Sequence, residues 1–152
     1  MSEEHKKAKL RALRILTKMD KTEADLRAGL EKAGFSLDAI EEAVIYVKSF
    51  GYIDDQKYVE KYIEYNKVRK SKKKIQYELM QKGISKDQIQ TAMDECEEFD
   101  ECELIRMVVH KKWKSEDKPS EKELYKLFSY LSRQGFSGQD IWKVLREENL
   151  TY

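Results

Sequence analysis

Proline occurs once and glycine six times in 152 residues, so the chain lacks the composition of a long flexible linker. Its two cysteines, Cys96 and Cys102, stand six residues apart in a helical region with no second C-x-x-C pair. That excludes a four-cysteine zinc site and reads as small packed thiols in a reducing cytoplasm. His5 and His110 are the only histidines, and G-x-S-x-G, H-E-x-x-H and Gly-rich phosphate loops are all missing. Asp54 and Asp55 are adjacent, so on a helix their side chains diverge by about 100°, and a helix start favours carboxylates in any case. The chain does not read as an enzyme, and no catalytic residue, metal or cofactor is expected. No apolar run approaches the ~18 residues of a membrane span. The charged segment Met1 to Lys9 has no apolar stretch behind it, so neither a signal peptide nor membrane contact is expected and the cytoplasm is the expected location. An excess of charge of one sign is lacking too: 30 basic side chains meet 29 acidic ones. Any basic surface must therefore be local.

What is present is a repeat. Gly34-Phe35-Ser36 with Ile40, Gly83-Ile84-Ser85 with Ile89, and Gly135-Phe136-Ser137 with Ile141 recur 49 and 52 residues apart. Leu26, Ile75 and Leu127 precede the glycines by eight residues, and Leu30, Leu79 and Leu131 by four. Glycine after a helix takes the left-handed conformation that closes the last turn. The serine that follows is placed to accept an orphan N–H of the next helix, worth roughly 1 kcal/mol over alanine. Phe35/Ile40, Ile84/Ile89 and Phe136/Ile141 have the spacing of a hydrophobic staple across that cap. Each copy reads as helix, tight turn, helix, and one copy cannot bury its apolar stripe alone.

Each copy gains a further helix. Ala8, Ala12, Leu13, Ile15 and Leu16 form a stripe ahead of the Thr22 cap. Gly51-Tyr52-Ile53-Asp54 repeats the junction logic, with Asp54 capping a helix that carries Tyr58, Val59, Tyr62, Ile63 and Tyr65. A second pair of helices follows, the later one running from Ser85 to about Glu97. Leu104, Ile105, Val108, Val109 and Trp113 mark another helix, broken before Pro119, and Ser120-Glu121-Lys122-Glu123 is a capping box for the next. The expectation is an all-α tandem array of three three-helix repeats, about nine helices with no strand, divided at 1–50, 51–99 and 100–152.

Two cationic clusters are candidates for binding. Between Lys67 and Lys74, six of eight residues are basic: Lys67, Arg69, Lys70, Lys72, Lys73 and Lys74. They span the turn into a helix, where cations oppose the macrodipole at a cost of about 0.3–1 kcal/mol each. Such a cost points to phosphates or an acidic partner surface; the bland reading is a solvated run balanced by the acidic stretch Asp94 to Glu103. His110-Lys111-Lys112-Trp113-Lys114 pairs cations with a ring able to stack on a base, although such a Trp is more often core. Tyr58, Tyr62 and Tyr65 share one helix face and read as an inter-helix seam before a stacking platform.

These residues resemble the RecX regulators of the bacterial RecA recombinase over about residues 8–149. Ala12-Leu13 with Leu16, then Thr22 and Asp25-Leu26-Arg27 with Leu30, resembles the family's first-repeat S-E-x-E-L-R pattern. Gly51-Tyr52-Ile53-Asp54-Asp55 with Tyr58 and Tyr62 is similar to its G-Y-[IL]-[DN]-D signature, and Lys82-Gly83-Ile84 to its second-repeat K-G-I. Leu131, Arg133, Gly135 and Phe136 resemble the third-repeat pattern. One departure is the turn Asn66 to Ser71, which lacks the family's Gly. The resemblance implies an elongated, curved monomer that docks on RecA, in the groove of its filament on single-stranded DNA. It implies inhibition of strand exchange and ATP hydrolysis by RecA in DNA repair and the SOS response, with no catalytic site of its own. Lys67, Arg69, Lys70, Lys72, Lys73 and Lys74, with Lys111, Lys112, Lys114 and Arg133, are then the expected contacts to RecA or to single- or double-stranded DNA. The alternative is a stand-alone helix-turn-helix DNA binder, which near-zero net charge disfavours. A tetratricopeptide scaffold ranks last, because its 34-residue period is absent.

Overall fold

The computed structural model describes residues 2–96 and 100–152. Among them nine helices follow in order: α1 Glu3–Lys18, α2 Glu23–Lys32, α3 Leu37–Ser49, α4 Asp55–Asn66, α5 Lys72–Gln81, α6 Lys86–Glu95, α7 Glu101–Lys112, α8 Glu121–Arg133 and α9 Gly138–Glu147. No strand occurs among the described residues. The chain is all-α, built of tandem three-helix repeats. The expected extension of α6 to Glu97 lies outside the described residues, as does part of the acidic stretch beyond Asp94.

The repeated junction forms as its chemistry requires. Gly34, Gly83 and Gly135 have φ of 92°, 83° and 93°. Behind them the hydroxyls of Ser36, Ser85 and Ser137 accept the N–H of Ala39, Gln88 and Asp140, each at 3.2 Å. Asp54 caps α4 through the Lys57 N–H at 3.2 Å, and Ser120 with Glu123 closes a reciprocal capping box on α8. The positions eight and four residues before each glycine are all buried.

The chain packs as two units. Unit 1 comprises Met1–Tyr62 and Glu78–Glu95; unit 2 comprises Ile63–Tyr77 and Cys96–Tyr152, so the division falls within α4 and α5. In unit 1, α1 lies against α3, with Ala8, Ala12, Ala39 and Ala43 among the buried positions. Small side chains at these positions let the helix axes approach closely. Leu26, Leu30, Ile40, Val44 and Val47 complete this core. Unit 2 buries Ile105, Val109, Leu127, Leu131, Phe136, Ile141, Val144 and Leu145.

Within each unit a junction glycine meets a buried helix cap. In unit 1 the Thr22 hydroxyl, fully buried, caps α2 and donates to the Lys82 carbonyl at 2.7 Å. Beside it a Cβ on Gly83 would collide with the Ala24 side chain. In unit 2 the fully buried Ser71 caps α5, and its N–H donates to the Gln134 carbonyl at 3.1 Å. There a Cβ on Gly135 would collide with Ser71 Oγ and Lys74 Cβ. Gly34 has open space around it. Two of the three repeated glycines thus serve helix-to-helix packing as well as turn geometry, which local sequence rules do not reveal.

Candidate partner-binding surface

The cationic turn is built from α4, α5 and the segment between them. Buried Asn66 ends α4, and its carbonyl accepts the N–H of both Arg69 and Lys70 at 2.9 Å. The turn closes without any positive φ, so the glycine of the family pattern has no left-handed position to fill here. Lys67 pairs with Glu64 at 2.7 Å. The Arg69 guanidinium lies 4.1 Å from the Tyr65 ring centroid and donates to the Tyr65 carbonyl.

The expected clash between cations and the α5 macrodipole is met from inside the unit. Lys74 Nζ donates to the Arg133 carbonyl at 2.7 Å, at the C-terminal end of α8 where a cation is favoured. The Lys72 N–H at the start of α5 donates to the Glu101 carboxylate at 2.7 Å, which places an anion where that helix favours one. Lys74 is thus engaged within the unit, and Arg133 joins it through its backbone carbonyl while its side chain stays exposed. Lys73 is exposed, Lys72 half-buried, and neither side chain has an ion pair among the described residues. Lys70 is half-buried and engaged.

The second cluster sits at the end of α7, where Lys111 and Lys112 favour the helix C-terminus. Lys112 Nζ stands 4.0 Å from the Tyr130 ring centroid, and His110 Nε2 is 3.0 Å from Glu148. Trp113, half-buried, packs on the unit 2 core, and its Nε1 donates to the Asp117 carbonyl at 3.0 Å. Lys114 is exposed. All ten candidate cations lie in unit 2, and Lys74 meets Arg133 directly, through the Arg133 carbonyl.

The Tyr series needs a correction. Tyr58 and Tyr62 stack with centroids 6.0 Å apart, and the Tyr62 hydroxyl donates to Glu78 at 2.8 Å. Burial, reinforced by Glu78, pushes the Tyr62 phenol well above its ordinary pKa. Tyr65 does not share this seam: it is 64% exposed, with the Arg69 guanidinium set against its ring. The Asp54-Asp55 pair is capping chemistry, since Asp55 accepts the Glu23 N–H at 2.8 Å and Asp54 caps its own helix. Burial raises the Cys102 thiol, against nucleophilic use. Among the described residues no three His, Cys, Asp or Glu side chains come together as a metal-holding group, and no helix is long and apolar enough to cross a membrane.

The basic face of α1 contains no contiguous run of charge to mark it in the sequence. Lys7, Arg11 and Arg14 line an open groove of about 270 Å³ with Leu10, Ala33 and Phe35. Their signal was helical spacing, four and three residues apart, and not a contiguous run.

Fold and surface together define an all-α protein of tandem three-helix repeats whose notable chemistry is charge displayed on helices and turns. The models of the first, second and third three-helix domains of RecX match residues 8–46, 54–93 and 100–145. The chain belongs to the RecX family. It is 36% identical over 151 residues to the regulatory protein RecX of Caldanaerobacter subterraneus subsp. tengcongensis, covering 97% of this chain and 72% of the relative. The RecX regulatory protein of Clostridium perfringens is 32% identical over 133 residues, with 86% of this chain and 63% of the relative covered. The crystal structure of RecX from Lactobacillus salivarius superposes with a TM-score of 0.73 at 22% identity, covering 99% of this chain and all of that one. A second crystal structure of a regulatory protein RecX gives 0.69, also at 22% identity, over 93% of this chain and 71% of that one.

Proposed function

We propose that this protein is a RecX-like regulator that binds RecA, in the groove of the RecA filament on single-stranded DNA, and restrains strand exchange and ATP hydrolysis. It acts as a cytoplasmic monomer in DNA repair and the SOS response, without catalysis of its own, through repeats at 1–50, 51–99 and 100–152. The observation that carries this reading is the match of three successive RecX domain models along the chain. Within the basic turn, Arg69, Lys70, Lys72 and Lys73 are the contacts to RecA or DNA. Lys111, Lys112, Lys114 and the Arg133 side chain form a secondary set, and Lys67 and Lys74 support the turn.

The test is inhibition of RecA strand exchange by a variant with Arg69, Lys70, Lys72 and Lys73 replaced by Gln and Lys74 kept, so that the Ser71–Gln134 docking is preserved. Inhibition is expected to fall at least tenfold with the thermal midpoint little changed. Full inhibition by this folded variant removes the basic turn from the mechanism. Tight duplex binding by the parent in a RecA-free solution, with no effect on strand exchange, returns the stand-alone DNA-binding reading.

A further inference from the structure

We propose that the outer face of α1 is a separate binding site for single-stranded nucleic acid, held by Lys7, Arg11, Arg14 and Lys18. Positions four, three and four residues apart lie on one face of a helix. At 1.5 Å of rise per residue, the four cationic stems are about 6, 4.5 and 6 Å apart along the axis. All four are exposed. None has an ion pair with a carboxylate among the described residues. Several other cations of unit 1 are satisfied locally: Arg27 holds Glu23 and Glu41, Lys48 holds Glu23, and Lys9 holds Glu42. Lys21, Lys32, Lys57 and Lys86 are without a carboxylate partner among the described residues, but they are scattered over separate elements. The only acidic residues of α1, Glu3 and Glu4, are in its first turn, and Glu4 is spent on the Ser36 cap.

Four like charges in line on one helix repel each other, and like pairs at this spacing destabilise a helix. The packing of α1 does not require them, because the residues it buries are Ala8 and Ala12 and none of the four cations. A line of cations on a helix, with its one same-face acid, Glu3, at the helix start, complements a linear polyanion. Beside it Leu10, 63% exposed, and the edge of Phe35 line the groove of about 270 Å³ with Lys7, Arg11 and Arg14. That apolar flank selects the polyanion: a single strand presents base faces to such a surface, whereas a duplex hides them and an acidic peptide has none. An anionic lipid surface is disfavoured because the apolar face of α1 is already covered by the core.

The experiment measures anisotropy of a labelled oligothymidylate across a salt series, with no RecA present, so a negative result here leaves the RecA reading untouched. The variant Lys7→Gln/Arg11→Gln/Arg14→Gln/Lys18→Gln is compared with a control of equal charge change, Lys122→Gln/Lys126→Gln/Lys143→Gln/Arg146→Gln. The stripe variant is expected to bind at least tenfold more weakly and to lose about 3 units of the log-affinity against log-salt slope, from about 0.7 per phosphate contact. The control should lose less than half as much. On the unmodified protein, oligothymidylate should protect Lys7 and Lys18 from acetylation, a readout that does not depend on how any variant folds. Equal losses in stripe variant and control, or absence of protection, overturn the site. Equal competition by a hairpin duplex or by polyglutamate overturns its assignment to single strands.

Discussion

Two cation-rich segments of this chain look alike in charge and differ in what the fold has done with them. Between Lys67 and Lys74 the charges are contiguous, and the structure spends several of them: Lys67 on Glu64, Arg69 on Tyr65, Lys74 on the end of α8. Along α1 the charges of Lys7, Arg11, Arg14 and Lys18 are dispersed at helical spacing, and none of these four is spent on a carboxylate among the described residues. A dense run in sequence is therefore a poor measure of available charge. What counts is whether carbonyls and carboxylates of the fold already reach the cations.

The comparison breaks most visibly at Gly135. Replacing it with Ala imposes a left-handed backbone on a side chain, about 1–2 kcal/mol, and drives a Cβ into Ser71 and Lys74, about 1–3 kcal/mol more by overpacking. A total loss near 3 kcal/mol in denaturant unfolding is expected. Gly34→Ala, with φ of 92° but open space, should lose only about 1–2 kcal/mol. Equal losses would mean that the α8–α9 turn does not dock on the α5 cap.

A smaller effect separates Lys74 from its neighbour. Lys74→Met removes the donor to the Arg133 carbonyl and should lose about 1 kcal/mol, whereas Lys73→Met should stay within about 0.5 kcal/mol. Unfolding midpoints of the two variants decide this. If both are neutral, Lys74 belongs with the binding contacts after all.

The paired cations of unit 1 give a pH signature. Lys48, with Arg27, holds the Glu23 carboxyl below its ordinary value of 4.5. A depressed folded-state pKa contributes stability that is present above 4.5 and lost as pH falls through the lower folded value. Glu23→Gln should therefore be less stable than the parent at neutral pH and converge with it in acid. A difference that persists unchanged in acid would show that packing, not charge, is what Gln fails to replace. The effect should be under about 1 kcal/mol, because the site is partly exposed.

The smallest expected change is at the α1 stripe. Neutralising Lys7, Arg11, Arg14 and Lys18 removes like-charge repulsion of about 0.2–0.5 kcal/mol per pair, so the melting temperature should be unchanged or slightly raised. A clear drop would mean that the stripe holds the fold and has no need of a ligand to explain it.

The helical repeat was legible because each junction residue does a local job: glycine for the left-handed turn, serine for the cap, and the flanking apolar pair around it. Period and spacing also placed Leu26, Ile75, Leu127 and their partners in the core. The second role of Gly83 and Gly135 was not legible, because the residues they approach, Ala24 and Ser71, are about sixty residues away in sequence. The same holds for the use of Lys74 on the carbonyl of Arg133. Tyr65 was misplaced because spacing alone puts it with Tyr58 and Tyr62, while its exposure is set by how α4 meets its neighbours. The α1 stripe went unread because scanning for runs finds contiguous charge, and exposed charge on a helix is contiguous only in space.

The most direct measurement is co-sedimentation with RecA, with and without single-stranded DNA and nucleotide, of the parent, the Arg69/Lys70/Lys72/Lys73→Gln variant and the α1 stripe variant. The parent should pellet with the assembled filament, the basic-turn variant should remain in solution, and the stripe variant should pellet while binding free oligothymidylate poorly. Failure of the parent to associate with RecA under any of these conditions would contradict the assignment of this chain as a RecA regulator.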